Sequence, residues 1–319
     1  MKISEIGGEF AMLNRFARRE FTDSRLVLGI GDDCAVLEYI DDSYLLVTTD
    51  MMVENDHFST AWQTPFQIGA KLIESNVSDI VCKGGTPKFA FLSMCLPSSA
   101  TVEFMDGFYK GLYAACERHG VILAGGDTTH GEHYVFNLAL TGEVPKNLLR
   151  LRSGARVGDC ICSTGSLGAS TAGLKLLLQK REGYLLDHLE PKARTASEGA
   201  AVAQYASAAI DVSDGLGSEV SHICHESNTG AKIEFDSIPL SPHTVETAAL
   251  LNLDPHDFAL YGGEDYEIVF TIAENDIPEL RKNFDDFTVV GKILPKKEGI
   301  YILKNGEKLP VKKGYDHFA

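Results

Sequence analysis

Val121-Ile122-Leu123-Ala124-Gly125-Gly126-Asp127-Thr128 is an apolar run that ends in two glycines and an acid. Residues 121–124 predict a strand. Nothing structural demands a carboxylate after the glycines. The same signature recurs on either side of it. A strand over Leu26 to Ile30 leads into Gly31-Asp32-Asp33-Cys34, and one over Tyr44 to Thr48 leads into Thr49-Asp50. Asn76-Val77-Ser78-Asp79, Asp211-Val212-Ser213-Asp214-Gly215 and Gly262-Gly263-Glu264-Asp265-Tyr266-Glu267 complete the set. Acids at strand ends, in turns that glycine permits, are placed to converge on one spot. Converging carboxylates repel one another unless cations neutralise them. The chain therefore reads as one built to hold several hard divalent ions, Mg²⁺ above all.

Between these motifs the patterning is mixed. Pro65 opens a helix whose apolar positions Ile68, Leu72, Ile73, Val77, Ile80 and Val81 keep helical spacing. Asn76 and Asp79 share one of its faces, and Gly84-Gly85-Thr86-Pro87 ends it. Phe89 to Leu96 predicts a buried strand, 102–118 a second helix, and Tyr134 to Leu140 another strand. The mixture of Pro, Gly, Arg and Lys between Pro145 and Gly158 reads as a domain junction. Beyond it, Cys160 to Ser163 predicts a strand. Helices are expected over Ser170 to Gln179, 193–207 and from near Gly215 to about Ser227, with strands at 231–235, 267–272, 287–293 and 299–303. Strands and helices do not alternate regularly, so an α+β layer architecture is expected rather than a doubly wound sheet.

Bulk properties narrow the function classes. A chain of 319 residues is long enough for two domains. With 29 Lys and Arg against 45 Asp and Glu, the formal charge is −16. Such a surface repels nucleic acid and anionic membranes, and metal ions must bridge it to any polyanion such as ATP. No run of about 18 apolar residues predicts a membrane span, and the first residues lead into no apolar signal region. Seven cysteines with no C-x-x-C spacing suggest reduced thiols and a cytoplasmic setting.

No P-loop is present: Gly168 to Lys175 comes close, but Leu174 separates the glycine from the lysine. No glycine-rich dinucleotide fingerprint follows a strand, and no His/Cys cluster points to zinc. Each acid also has a structural reading. Asp32 or Asp33 forms turns well, Asp50 sits where a strand-end cap would, Asp79 suits a solvated helix face, and Asp211 or Asp214 suits a helix cap. Taken together, in one repeated local setting, they are hard to explain as caps.

With Gly29-Ile30-Gly31-Asp32-Asp33, His57-Phe58 and the ending Gly314-Tyr315-Asp316-His317-Phe318 added to the motifs above, the chain resembles the thiamine-monophosphate kinase family along essentially its whole length. The Gly-Asp-Asp and Asp-x-x-Asp-Gly pieces are shared with the wider aminoimidazole ribonucleotide synthetase-like superfamily. The resemblance implies a two-domain α+β fold, with an N-terminal domain (1–147) that dimerises through its sheet and a C-terminal domain (148–319). ATP and thiamine monophosphate would meet between them. It implies metal ligands at Asp33, Thr48, Thr49, Asp50, Asp79, Asp127, Asp211 and Asp214, of which Asp50, Asp79, Asp127 and Asp211 would carry the chemistry. ATP would contact Tyr109, Gly126, Arg152 and Ser213, and the thiamine end would meet His57, Glu264 and Tyr315. Two departures stand out. Thr48 replaces a frequent Ser and keeps its hydroxyl. Lys83 stands where an apolar residue is usual and is expected to reach solvent.

The implied reaction moves the terminal phosphoryl of ATP onto a phosphate whose second pKa is about 6. That acceptor is already an anion at neutral pH, which suits a site rich in metal ligands and poor in general bases. An ATP-dependent synthetase acting on a ribonucleotide amide would use much the same acids, and a sensor or carrier of metal-nucleotide or thiamine phosphates would bind without turnover. The C-terminal aromatic ending and Gly262 to Asp265 favour the kinase.

Overall fold

The computed structural model describes residues 23–312, together with Met12; Tyr315 and the rest of the 314–318 motif lie outside them. Six strands form the first sheet: β1 (Leu26–Leu28), β2 (Ala35–Glu38), β3 (Ser43–Val53), β4 (Thr86–Pro97), β5 (Ile122–Gly131) and β6 (Val135–Pro145), in the order β1-β2-β3-β6-β4-β5. Helices α1 (Pro65–Cys82) and α2 (Val102–His119) cover one of its faces. The second half holds β7 (Cys160–Thr164), α3 (Ala169–Leu178), α4 (Leu186–Leu189), α5 (Ala196–Ala203), β8 (Ala206–Asp211), α6 (Leu216–Glu226) and β9 (Gly230–Glu234). Then come α7 (Pro242–Leu251), α8 (Pro255–Tyr261), β10 (Ile268–Ile272), α9 (Ile277–Asn283), β11 (Phe287–Leu294), β12 (Ile300–Lys304) and β13 (Glu307–Pro310). Its strands form a seven-stranded sheet, β13-β12-β9-β11-β7-β10-β8. The α+β architecture is as expected.

Helix α1 organises the molecule. Thr64 caps it in a reciprocal pair with Gln67, and Pro65 occupies the first turn, where its missing N–H costs nothing. Gly69 and Gly111 let α1 and α2 touch backbone to backbone; a Cβ at Gly111 would lie 1.8 Å from the Phe66 carbonyl oxygen. An amphipathic surface helix buries one stripe, whereas α1 also buries Lys71, Glu74, Asn76 and Ser78. The reason is its place between both sheets. Val77, Ile80 and Val81 share one core with Leu92 and Phe136 of the first sheet and with Cys162, Ala209 and Phe270 of the second. The far face of the second sheet, with Ile161, Ile210 and Val269, packs on Val220, Ile223 and Leu260.

The two sheets differ in cover. Strands β7 and β10 are buried along their whole length. In the first sheet, Leu46, Ala90, Leu92, Phe136 and Leu138 face the helices, while Met51, Phe89 and Phe91 on the other face are 53%, 43% and 44% exposed.

Several boundaries differ from the sequence reading. Thr48-Thr49-Asp50 lies inside β3, which runs on to Val53, and Gly125-Gly126-Asp127 lies inside β5. These acids therefore sit on strands and not in turns after them. Gly126 is required by close approach: a Cβ there would lie 1.8 Å from the Leu92 carbonyl oxygen. The helix expected over 193–207 stops at Ala203, and β8 follows at once. Its alanines favour helix intrinsically; pairing with β10 overrides that preference.

Candidate active site

Four elements bring the acids together. Asp50 projects from the helix-covered face of β3, its N–H bonded to Asn76 Oδ1 at 3.2 Å. Asp79 stands on α1, three residues beyond Asn76, and accepts from Thr48 Oγ1 at 2.5 Å. Asp211 ends β8 and accepts from Ser78 Oγ at 2.7 Å. Asp33, in the turn before β2, has an oxygen within 4.8 Å of both Cys82 Sγ and an Asp211 oxygen. Among the described residues, Asp50, Asp79 and Asp211 form no ion pair with a basic side chain.

Burial, and then their mutual repulsion, raises these acids. Asp79 is pushed well above the carboxylate range by burial and by Asp50, Asp211 and Asp33. Burial and Asp33 raise Asp50, and Asp211 is pushed up to about 7 by burial and then by Asp33. Asp33 is the opposite case. Burial favours its neutral form, but Arg152 and Lys83 outweigh that and hold it well below the usual range. A buried group of acids with too few cations is chemically suited to hard divalent ions, which add charge and take oxygen ligands. Asp50, Asp79, Asp211 and Asp214, with the Thr48 hydroxyl nearby, offer that donor set.

A cavity of about 790 Å³ opens beside them. Asp50, Asp79, Asp211, Ser213 and Asp214 line it, as do His57, Lys71, His188 and Glu264. Glu264 is fixed from two sides: Lys71 Nζ lies 2.5 Å from Oε1, and His188 Nδ1 lies 3.4 Å from Oε2. Lys71 also donates to the His57 carbonyl at 3.0 Å. Burial alone would raise Glu264, but Lys71 and His188 hold it below its ordinary value. His188 is pushed down to about 4, by burial and then by Lys71. The loop bearing Glu264 is strained, with φ +63° at Glu264 and +49° at Tyr266. Backbone bonds of 3.0 Å from Glu264 N to Ser213 O and from Tyr266 N to Val212 O hold it in place.

Gly262 to Glu267 thus divides its labour. Glu264 reaches the cavity. Asp265 accepts from Gly168 N (2.7 Å) and Ser170 N (3.3 Å) at the start of α3. Glu267 accepts from Thr164 Oγ1 and Arg194 Nε, each at 2.5 Å.

The chain brings Asp33, Thr48, Asp50, Asp79, Arg152, Asp211, Ser213 and Asp214 to the acid end of the cleft, and His57 and Glu264 to the cavity wall. Asp127, Gly126, Thr49 and Tyr109 are not gathered there. Strand pairing sets Asp127 opposite Ser93, Ser93 opposite Asn137, and Asn137 opposite Met51. Asp127 is therefore on the bare face, three strands from β3, or about 14 Å. There it accepts from the neighbouring Thr128 N at 2.8 Å. Thr49 faces the same side and exchanges hydrogen bonds with Asn137. Tyr109 is half-buried on α2 between Phe108 and Tyr113.

Lys83 corrects an expectation. It does not reach solvent; it is fully buried, with Nζ 2.7 Å from Asp32 Oδ1 and 2.5 Å from Asp33 Oδ2. Lys71 and His188 were missed by the sequence reading. The available signal for Lys71 was its position between Ile68 and Ser75 on the buried stripe of α1.

Comparison with known proteins agrees with this geometry. The family described as AIR synthase related protein, N-terminal domain, matches residues 31–144. The chain is 36% identical to the thiamine-monophosphate kinase of Buchnera aphidicola subsp. Acyrthosiphon pisum (strain APS), with 97% of this chain and 98% of that one covered. It is 34% identical to the thiamine-monophosphate kinase of Aquifex aeolicus (strain VF5), with 100% of each covered. The solved structure described as AaThiL complexed with AMPPCP and TMP superposes with a TM-score of 0.84 at 32% identity, covering 99% of each chain. Identity at this level over the full length, on the same fold and the same acid motifs, places the chain in the thiamine-monophosphate kinase family.

Proposed function

We propose that this chain transfers the terminal phosphoryl group of ATP to the phosphate of thiamine monophosphate, giving thiamine diphosphate and ADP. The observation that carries the reading is one cavity with Asp50, Asp79 and Asp211 on one side, none of them ion-paired with a basic side chain among the described residues, and a braced Glu264 on another. Asp50, Asp79, Asp211 and Asp214, with Thr48, would hold Mg²⁺. Bound divalent ions supply charge neutralisation between two polyanions. Asp33 stands beside them, already bridged by Lys83 and Arg152.

The chain's own groups then orient the substrates. The acceptor phosphate is ionised at neutral pH, with a second pKa of about 6, so no side chain need remove a proton, and transfer is direct with no phosphoenzyme. Glu264 is held anionic chiefly by Lys71 and offers a negative partner to the cationic thiazolium. His57 lines the same cavity and is placed to position the acceptor phosphate. Ser213 and Arg152 would contact ATP, and Tyr315 would stack on the thiamine rings.

The homodimer belongs to the same proposal. The bare face carrying Met51, Phe89 and Phe91 suits a second copy. That pairing gives Thr49, Gly126, Asp127 and Tyr109 a route to a site that one chain leaves without them. A cytoplasmic setting is supported by seven free cysteines. Among the described residues, no helix is long and apolar enough to cross a membrane.

³¹P NMR of the protein with Mg-ATP and thiamine monophosphate tests the reading. ADP and thiamine diphosphate appearing together support it. ATP left intact, or cleaved with thiamine monophosphate unchanged, overturns it.

A further inference from the structure

The acid cluster is two clusters with different charge balance. Asp50, Asp79 and Asp211 have no basic partner among the described residues, while Asp32 and Asp33 are fully engaged. Asp33 Oδ1 accepts from Arg152 Nε at 3.0 Å and from Arg152 Nη2. Its Oδ2 lies 2.5 Å from Lys83 Nζ and accepts from Cys82 Sγ at 3.3 Å. Asp32 Oδ1 lies 2.7 Å from Lys83 Nζ and accepts from Asp33 N, and its Oδ2 accepts from Arg152 N at 2.8 Å. All four oxygens are in use. Lys83 is equally committed: its remaining proton goes to the Ala209 carbonyl on β8 at 2.7 Å.

Two carboxylates thus face two cations that are built into the chain. A buried ammonium left without partners would be strongly destabilising, so the lysine stays where Asp32, Asp33 and the Ala209 carbonyl surround it. Lys83 follows directly on α1, the helix that carries Asp79, and reaches across to the second sheet. It therefore fixes Asp33 beside Asp211 without occupying the cavity.

We infer that Lys83 is a resident cation that takes the place of a divalent ion at Asp32 and Asp33, so that Asp33 positions the site and is not a metal ligand in this chain. This deepens the metal assignment above and rests on it. Metal binding is then confined to Asp50, Asp79, Asp211 and their neighbours.

Counting Mn²⁺ bound to the purified protein with a non-hydrolysable ATP analogue, by the EPR signal of the free ion, tests this apart from turnover. Asp33→Asn should bind as many Mn²⁺ as the unaltered chain, and Lys83→Met should bind about one more, because the two acids then lack their lysine. Lys83→Arg should return the count to that of the unaltered chain. Loss of an ion in Asp33→Asn overturns the inference, and so does an unchanged count in Lys83→Met. If Lys83→Met does not fold, Asp33→Asn decides alone. If the unaltered chain binds no Mn²⁺, the metal assignment itself falls and this inference falls with it, a result distinct from either variant outcome.

Discussion

Two regions of this molecule bury several charges, and they do so in opposite ways. Around Glu267, every charge has a partner. Arg194 lies 2.5 Å from Glu267, 2.7 Å from Asp286 and 3.1 Å from Glu198, and Thr164 completes the carboxylate. Around Asp79, the Asp79 and Asp211 carboxylates accept from hydroxyls and the Asp50 backbone N–H donates to Asn76 Oδ1, but among the described residues the three acids have no cation of their own. The first arrangement stabilises a fold. The second is tolerated only if something else supplies the charge, which is why unmatched buried acids mark a working site.

The sharpest way to break the comparison is to neutralise one unmatched acid. Asp79→Asn or Asp211→Asn should lower kcat/KM by about a thousandfold or more. Without metal, the melting temperature should hold or rise, because repulsion is relieved. Near-normal turnover, or collapse of the fold, would erase the distinction between the two regions.

The matched cluster should respond the other way. Arg194→Met leaves Glu267 buried without its cation and should destabilise the chain by about 3–5 kcal/mol in urea unfolding. Turnover per folded molecule should stay within about threefold, since Arg194 does not line the cavity. A large loss of turnover at full folding would make Arg194 part of the site.

His188 sharpens the comparison with a smaller effect. Its pKa in the fold is lowered, from 6.5 to about 4, by burial and by Lys71. The unfolded chain therefore binds more protons over that interval, and the stability His188 allows above pH 6.5 is lost as pH falls through it. The loss is on the order of 3 kcal/mol by pH 4. His188→Gln should remove that part of the slope; an unchanged pH profile of unfolding would place the effect elsewhere.

Legibility in the sequence was uneven for a physical reason. Helix α1 was legible because Pro65 and its 3.6-residue periodicity are local. Strand β8 was not: its first residues, Ala206 and Ser207, fall within the helix expected over 193–207, and only pairing with β10 makes them strand. Among the site residues, Asp50, Asp79 and Asp211 were found from repeated local settings, yet nothing in those settings separates Glu264 from Asp265 or Glu267. Lys83 was misread because a lysine after a helix is usually solvated.

By itself, the sequence determined the α+β class, the acid motifs and the family resemblance, because these rest on residue type, spacing and periodicity. Tertiary structure decided which acids meet. Ser78 reaches Asp211 across 133 positions and Lys83 reaches Ala209 across 126. Tertiary structure also set Asp127 on the bare face, with Asp50 on the covered one. Alternation along a strand tells which residues share a face, but only packing decides which face is buried.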